Sequence, residues 1–304
     1  MKSEGSSDMT RKEFDILTYL DELREKPSQR SIAAGVGVSV GTVNKTLAAL
    51  HQREWITPQL SITGTGYAAL EPYRAKRAIF LAAGVGDRLL PITLNTPKPL
   101  IRVHGARILD SAIDACLAAG IEEIYIVRGY LSEQFDQLLA KYPMIRFLEN
   151  PAYSETNNIS SAMCARYLLK NAYVMEADLI INNKSVIRKY HYTSNCLGVP
   201  VEMTDDWCVT RINGYASQLT LGGTNCHHLF SIYYFNEEEG GKLPAHIEAV
   251  YQSPGGKQRF WDLVPLTFFS KEYHVEITEC TLKDVTEIDT LRELQAVDRA
   301  YAML

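Results

Sequence analysis

The stretch Leu81-Ala82-Ala83-Gly84-Val85-Gly86-Asp87-Arg88-Leu89-Leu90-Pro91, followed by Pro97-Lys98-Pro99-Leu100, decides the fold. The apolar residues in front of it, 78–81, predict a short buried strand that ends at the glycines. Glycine has no β-carbon, so Gly84 and Gly86 allow a sharp turn that points backbone N–H groups at phosphate oxygens. Arg88 and Lys98 add positive charge. We therefore expect a phosphate-binding loop at the carboxyl end of a strand.

The rest of the chain beyond residue 75 alternates between strands and helices. Apolar strands are predicted at 78–81, 123–127, 145–148 and 172–175, with helices at 109–119 and 131–141. This alternation predicts an α/β fold with a mostly parallel, Rossmann-like sheet flanked by helices. Later segments predict antiparallel strands, which make the sheet mixed: 192–197, 207–212, 218–221 and 229–235.

The first 75 residues follow a different pattern, so we predict two domains, 1–75 and 76–304. Ser28 to Leu47 resembles a helix-turn-helix, with Gly37 at the turn and Ser39 capping the second helix. Residues 55–67 resemble a small wing and a closing helix, which makes this a small, mainly helical winged helix-turn-helix domain. It carries equal numbers of basic and acidic residues, whereas DNA-binding modules usually have a basic face. DNA binding and a regulatory or dimerising role, including a homodimer, therefore both stay open.

Carboxylates follow two later strands. Tyr173 to Met175 is apolar and leads into Glu176 and Asp178, whereas Glu287 and Asp289, two apart near the C-terminus, project from one face of a strand. Magnesium prefers oxygen ligands and usually takes one or two carboxylates together with substrate phosphates. We expect Asp178, Glu287 and Asp289 to bind Mg²⁺, and we leave the role of Glu176 open. An isolated carboxylate would more simply cap a turn.

The glycine loop with its Pro-Lys-Pro-Leu segment resembles the signature of nucleotidyltransferases, and Leu89 stands where a dinucleotide fingerprint needs a third glycine. From residue 78 onward the chain is similar to bacterial CTP:phosphocholine cytidylyltransferases of the Lic type. Motifs that carry this likeness include Asn157-Asn158, Asp206-Trp207 and Phe260-Trp261-Asp262. The resemblance implies a nucleotidyltransferase sheet, Arg88 and Lys98 as catalytic cations, and a nucleotide site formed by Leu81, Ala82, Ala83, Gly84, Gly86, Asn157 and Asn158.

The same resemblance implies that CTP and phosphocholine react to give CDP-choline and pyrophosphate. Trp207, Tyr233 and Trp261 would surround the trimethylammonium group, with Asp262 as a countercharge. A quaternary ammonium has no N–H donor, so aromatic faces attract it through cation–π interactions worth about 2 kcal/mol in a dry site. Most aromatic residues of such a chain would instead pack in the core. Lys98 lies in a Pro-Lys-Pro-Leu motif that resembles the sugar-specific enzymes, so the identity of the acceptor substrate stays open.

Three alternatives remain for the function. The acceptor is a sugar 1-phosphate, or it is phosphoethanolamine or 2-aminoethylphosphonate, whose primary ammonium prefers carboxylates and carbonyls. A nucleotide-sensing transcription regulator is the third, although a sensor does not need metal carboxylates.

Bulk properties set further expectations. The net charge of −5 argues against a general polyanion binder. The six cysteines include no C-x-x-C pair, so we expect reduced thiols. Met1 to Thr10 is polar and no stretch reaches the ~20 apolar residues of a membrane span, so we expect no membrane insertion and a cytoplasmic location.

Overall fold

The computed structural model describes residues 9–23 and 26–302. Most of the polar segment Met1 to Thr10, on which the expectation of no signal peptide depends, lies outside the described residues. Its contacts divide the chain into two compact units, Met1–Arg74 and Ala75–Leu304. No helix in the described part of the chain is long and apolar enough to cross a bilayer.

The N-terminal unit is built from short helices: α1 (Arg11–Glu22), α2 (Gln29–Val36), α3 (Val40–Gln52) and α4 (Gly64–Leu70). Gly37 ends α2 with φ +73°, a left-handed conformation that glycine adopts without strain. Ser39 then caps α3, because its side chain accepts a hydrogen bond from the Thr42 amide. The predicted wing is reduced to a single antiparallel bridge between Ile56 and Ile62.

The second unit is a mixed α/β sheet with helices. Its strands are β1 (Arg77–Leu81), β2 (Arg102–Val103), β3 (Ala106–Arg107), β4 (Glu123–Arg128), β5 (Arg146–Glu149), β6 (Ala172–Glu176), β7 (Leu179–Ile181), β8 (Asn195–Val209), β9 (Arg211–Ile212), β10 (Tyr215–Ala216), β11 (Thr220–Phe235), β12 (Glu276–Glu279) and β13 (Val285–Glu287). Its helices are α5 (Ile108–Ala118), α6 (Ile159–Ala165), α7 (Glu237–Gln252) and α8 (Leu291–Val297).

Nine strands form the central sheet in the order β5-β4-β1-β6-β11-β8-β12-β10-β9. The first four run parallel, and β11 joins β6 in the antiparallel sense. Alternate residues of β1 enter different cores: Phe80 packs in one apolar cluster and Ile79 in another, and both are fully buried. Coverage of both faces explains why the parallel strands read as continuous apolar runs. The predicted α/β sheet is confirmed.

Two local predictions differ from the structure. The segment predicted as a helix at 131–141 is a 3₁₀ helix, Ser132–Ala140, preceded by Leu131 in a left-handed conformation. The four short antiparallel strands predicted between 192 and 235 belong mainly to two long strands, β8 and β11, whose pairing contains several register shifts. Each shift interrupts the period-two alternation of buried and exposed residues, so the sequence reads as shorter pieces.

Candidate functional site

The glycine loop leaves the carboxyl end of β1 and turns back over it. Gly86 has φ +73°, and a β-carbon there would lie 3.2 Å from both Lys98 Cβ and Thr93 Cγ2. Thr93 closes the turn by donating its hydroxyl to the Gly86 carbonyl at 3.1 Å. Gly84, by contrast, has no atom within 4 Å of its β-carbon position. The loop therefore packs closely at Gly86 and leaves open space at Gly84, where a ligand can approach the backbone.

This loop borders a cavity of about 420 Å³. Six of the seven residues predicted to bind the nucleotide line it, whereas Ala82 is buried beneath the loop. Further lining residues, outside the predicted nucleotide contacts, include Asn150, Tyr153, Ser154, Thr156, Ser160, Ser161, Glu176 and Gln258. The structure thus brings 81–86 and 157–158, which are distant in sequence, to the walls of one cavity.

Asn158 connects two sides of the cavity wall. Its amide nitrogen donates to Glu176 Oε1 at 2.7 Å, and its carbonyl oxygen accepts the backbone N–H of Trp261 at 2.8 Å. Asn157 accompanies it, because its backbone N–H donates to the Lys257 carbonyl at 2.8 Å. Both asparagines therefore hold the 257–261 segment against the end of β6.

Lys98 lies between two carboxylates at the edge of the same loop. Its Nζ is 2.7 Å from Asp178 Oδ2 and 2.8 Å from Asp289 Oδ1. Arg88 reaches the same Asp289 oxygen at 2.8 Å, but its side chain is 66% exposed. Burial lowers the pKa of Lys98, and the two carboxylates outweigh that effect, so its pKa is raised and it stays charged.

Strand pairing assembles the predicted metal ligands. β13 runs antiparallel to β7 with Glu287 opposite Leu179, the residue after Asp178, and the Ile288 amide donates to the Asp178 carbonyl. One carboxylate oxygen from each of Asp178, Glu287 and Asp289 lies within 4.8 Å of the others. Burial, with the carboxylates of Asp178, Asp289 and Asp206, raises the pKa of Glu287 to about 9.

These carboxylates fit a hard divalent cation. Asp178 Oδ1 is buried and has no hydrogen-bond partner among the described residues, and an unpaired buried carboxylate oxygen is costly. The donor set consists of oxygen atoms, which Mg²⁺ prefers. A cation bound here would satisfy the unpaired oxygen and relieve the repulsion that raises the pKa of Glu287.

Glu176 belongs to the site although the sequence left its role open. It ends β6 directly beside Leu81, the last residue of β1. Burial and the nearby Asp178 and Asp262 carboxylates raise its pKa to about 8. The sequence signal for it was its position at the end of an apolar strand, two residues before the Asp178 carboxylate.

The residues predicted to surround a choline group occupy different environments. Tyr233 and Trp261 are 1% and 0% exposed and pack edge to face at 5.2 Å. Asp262, also buried, accepts the Tyr233 hydroxyl at 3.0 Å, and burial raises its pKa to about 6. Trp207 is only half-buried and packs against Phe260. Three of the four residues that the resemblance implies around a choline group thus lie in the interior, and Trp207 keeps part of its surface exposed. Their contact with an acceptor stays a prediction.

A profile of the nucleotidyl transferase family matches residues 77–197. A 2-aminoethylphosphonate cytidylyltransferase from Lancefieldella rimae is 33% identical over 231 residues, which cover 75% of this chain and 94% of that protein. The chain belongs to the nucleotidyltransferase family. This nucleotidyltransferase is also 30% identical to a choline-phosphate cytidylyltransferase from Streptococcus pneumoniae, over 73% of its own length and 96% of the relative's. The solved structure of a CTP:phosphocholine cytidylyltransferase from that organism superposes with a TM-score of 0.68 and 28% identity, covering 75% of this chain and 99% of the other.

Proposed function

We propose that this nucleotidyltransferase is a cytidylyltransferase that transfers CMP from CTP to a small phosphate or phosphonate carrying an ammonium group, with release of pyrophosphate. The observation that carries the proposal is the position of Lys98, held by Asp178 and Asp289 at the edge of the glycine-loop cavity. Cations, carboxylates and backbone N–H groups meet there, as phosphoryl transfer requires. The cytidylyltransferase relatives support cytosine as the base.

The chain itself has little proton chemistry to perform. The attacking oxygen belongs to a phosphate whose second pKa is about 6, so it is already ionised near neutral pH. The protein must bring two anions together, and Lys98, Arg88 and the loop N–H groups neutralise their charge while the α-phosphorus is attacked in line. Mg²⁺, held by Asp178, Glu287 and Asp289, would supply Lewis-acid stabilisation of the phosphate oxygens.

Two kinds of acceptor fit this description: one carries a trimethylammonium group, and the other a primary ammonium, as in phosphoethanolamine and 2-aminoethylphosphonate. Phosphocholine agrees with Trp207 and Phe260, which present aromatic surface beside the site, and it is the acceptor that the sequence favoured. 2-Aminoethylphosphonate is the second candidate, because the burial of Tyr233 and Trp261 removes two aromatic faces and leaves carboxylates such as Asp206 near the metal ligands. A primary ammonium can donate hydrogen bonds to carboxylates, whereas a trimethylammonium cannot.

Pyrophosphate release with Mg²⁺ tests the proposal. CTP and UTP are each paired with phosphocholine, phosphoethanolamine, 2-aminoethylphosphonate and glucose 1-phosphate, and kcat/KM is compared. We expect turnover with CTP and an ammonium-bearing acceptor. Preference for glucose 1-phosphate would exclude the ammonium-bearing acceptor. Absence of release with every pair would favour a nucleotide sensor.

We also propose that the N-terminal unit is a winged helix-turn-helix module with a regulatory role. On the outer face of α3, Val40, Asn44, Lys45 and Ala48 are exposed, and Lys45 is the one fully charged side chain among them. Phosphate-backbone binding depends on several Lys or Arg residues, so contact with a protein partner, including a second copy, fits this face better. Gel shift with random duplex DNA at low salt tests this, because strong binding there would contradict it.

A further inference from the structure

A histidine and two carboxylates from three different strands converge beside the predicted magnesium ligands. Asp206 lies on β8, His228 on β11 and Glu287 on β13, and one ligand atom from each lies within 4.8 Å of the others. Two ligands on one ion of zinc-like radius are at most about 4.2 Å apart, so adjustments of roughly an ångström would close the cluster on an ion. Glu287 also belongs to the Asp178 and Asp289 cluster.

We propose that Asp206, His228 and Glu287 form a second divalent-cation site, joined to the first through Glu287. Imidazole together with carboxylates suits first-row transition ions such as Mn²⁺ or Zn²⁺ better than Mg²⁺. Three protein ligands are the number found in catalytic sites, which keep a further position for water or substrate. The site lies beside Trp207, the residue that follows Asp206.

Neighbouring groups already orient two of the three ligands. Thr204 Oγ1 lies 3.5 Å from His228 Nδ1, and a ring protonated on Nδ1 would offer the lone pair of Nε2 to a metal. The backbone N–H of Trp207 donates to Asp206 Oδ1 at 2.6 Å and leaves Oδ2 for an ion. Metal-ligating histidines and carboxylates are commonly held by such outer contacts.

Charge balance supplies a separate argument. Lys98 neutralises Asp178 and Asp289, but within residues 9–23 and 26–302 no Lys or Arg forms an ion pair with Asp206 or Glu287. Facing carboxylates without a cation repel each other, and buried charges are normally paired or coordinate a metal. A bound ion would remove this repulsion.

Mn²⁺ binding to the EDTA-dialysed full chain, without nucleotide, tests the site. We expect two equivalents of bound Mn²⁺ and an electron paramagnetic resonance spectrum with exchange coupling through the shared Glu287. His228→Ala should bind one equivalent with an isolated six-line spectrum, and Asp289→Asn should weaken the other equivalent. His104→Ala, which removes an exposed imidazole, should behave like the wild type. Thr204→Val should weaken the second equivalent about tenfold, as loss of an outer contact does.

Thermal melts of each variant establish that it is folded before metal is counted. One equivalent in the wild type, or two equivalents in folded His228→Ala, would overturn the proposal. Because the readout is metal stoichiometry, this result is independent of whether the chain transfers a cytidylyl group.

Discussion

Replacing Lys98 with Met removes the ammonium group that lies between Asp178 and Asp289. Lys98 is 9% exposed and its Nζ approaches both carboxylates at 2.8 Å or less. Breaking a buried pair destabilises a protein by about 3–5 kcal/mol. Both carboxylates retain some exposure, and Glu287 can take up a proton, so we expect a smaller loss of about 2–3 kcal/mol in metal-free protein.

The same substitution should reduce turnover far more than it reduces binding of the acceptor. Removing one preorganised donor typically lowers kcat by about 10²–10³, and Lys98 contributes a full charge, so we expect a loss of about 10³, equivalent to about 4 kcal/mol. Mg²⁺ would neutralise the carboxylates that Lys98 leaves behind. Saturating Mg²⁺ should therefore restore most of the lost stability but not the turnover.

Urea unfolding with EDTA and with Mg²⁺, combined with pyrophosphate release, measures both effects. Lys271→Met is the matched control, because Lys271 is exposed in the same unit and takes no part in the ion pairs of Asp178 and Asp289. Turnover within tenfold of the wild type would refute the role of Lys98. A stability loss that Mg²⁺ leaves unchanged would refute the argument that a cation site lies among these carboxylates.

Three further outcomes are expected. Gly86→Ala should lower the free energy of unfolding by about 1–3 kcal/mol in a urea titration, because a φ of +73° strains residues other than glycine. Gly84→Ala should leave this free energy unchanged, because the space around Gly84 is open. Equal losses in the two variants would contradict this prediction. Burial lowers the pKa of His191 to about 3, from 6.5 in the unfolded chain. Below pH 6.5 the unfolded chain therefore binds a proton that the folded protein does not, and the free energy of unfolding falls by up to about 1.4 kcal/mol per pH unit. His191→Phe should flatten that slope in urea titrations from pH 7 to 4, and an unchanged slope would exclude His191 as the cause. Trp207→Ala should raise the KM for phosphocholine about 5–30-fold in steady-state assays, which corresponds to the loss of a cation–π contact of about 1–2 kcal/mol. The KM for CTP should stay unchanged. A rise in the KM for CTP alone would place Trp207 at the nucleotide instead of the acceptor.

The parts of the site that the sequence predicted are those set by short segments. The glycine loop and Lys98 lie within twenty residues of each other, so their capacity to bind phosphate can be predicted without knowledge of the fold. Asp178 and Asp289 are 111 positions apart, yet each lies within two residues of a strand end, and the pairing of β13 with β7 brings the two together. The structure brings both within hydrogen-bond distance of Lys98.

Other parts depend on packing that the sequence does not reveal. Asn158 connects Glu176 and Trp261, because its two side-chain polar atoms bond to different segments. Trp261 lies next to Phe260, but the chain direction turns Trp261 into the core and Phe260 toward Trp207. Composition cannot distinguish these two neighbours, so the sequence alone does not show which of the rings packs in the interior.

Phosphorus NMR of the protein with CTP, Mg²⁺ and each ammonium-bearing acceptor follows the proposed cytidylyl transfer itself. We expect growth of pyrophosphate together with a new diphosphate-type linkage between CMP and the acceptor, and loss of both signals in Asp178→Asn. Hydrolysis of CTP without a new linkage, or unchanged CTP in the presence of every acceptor, would contradict it.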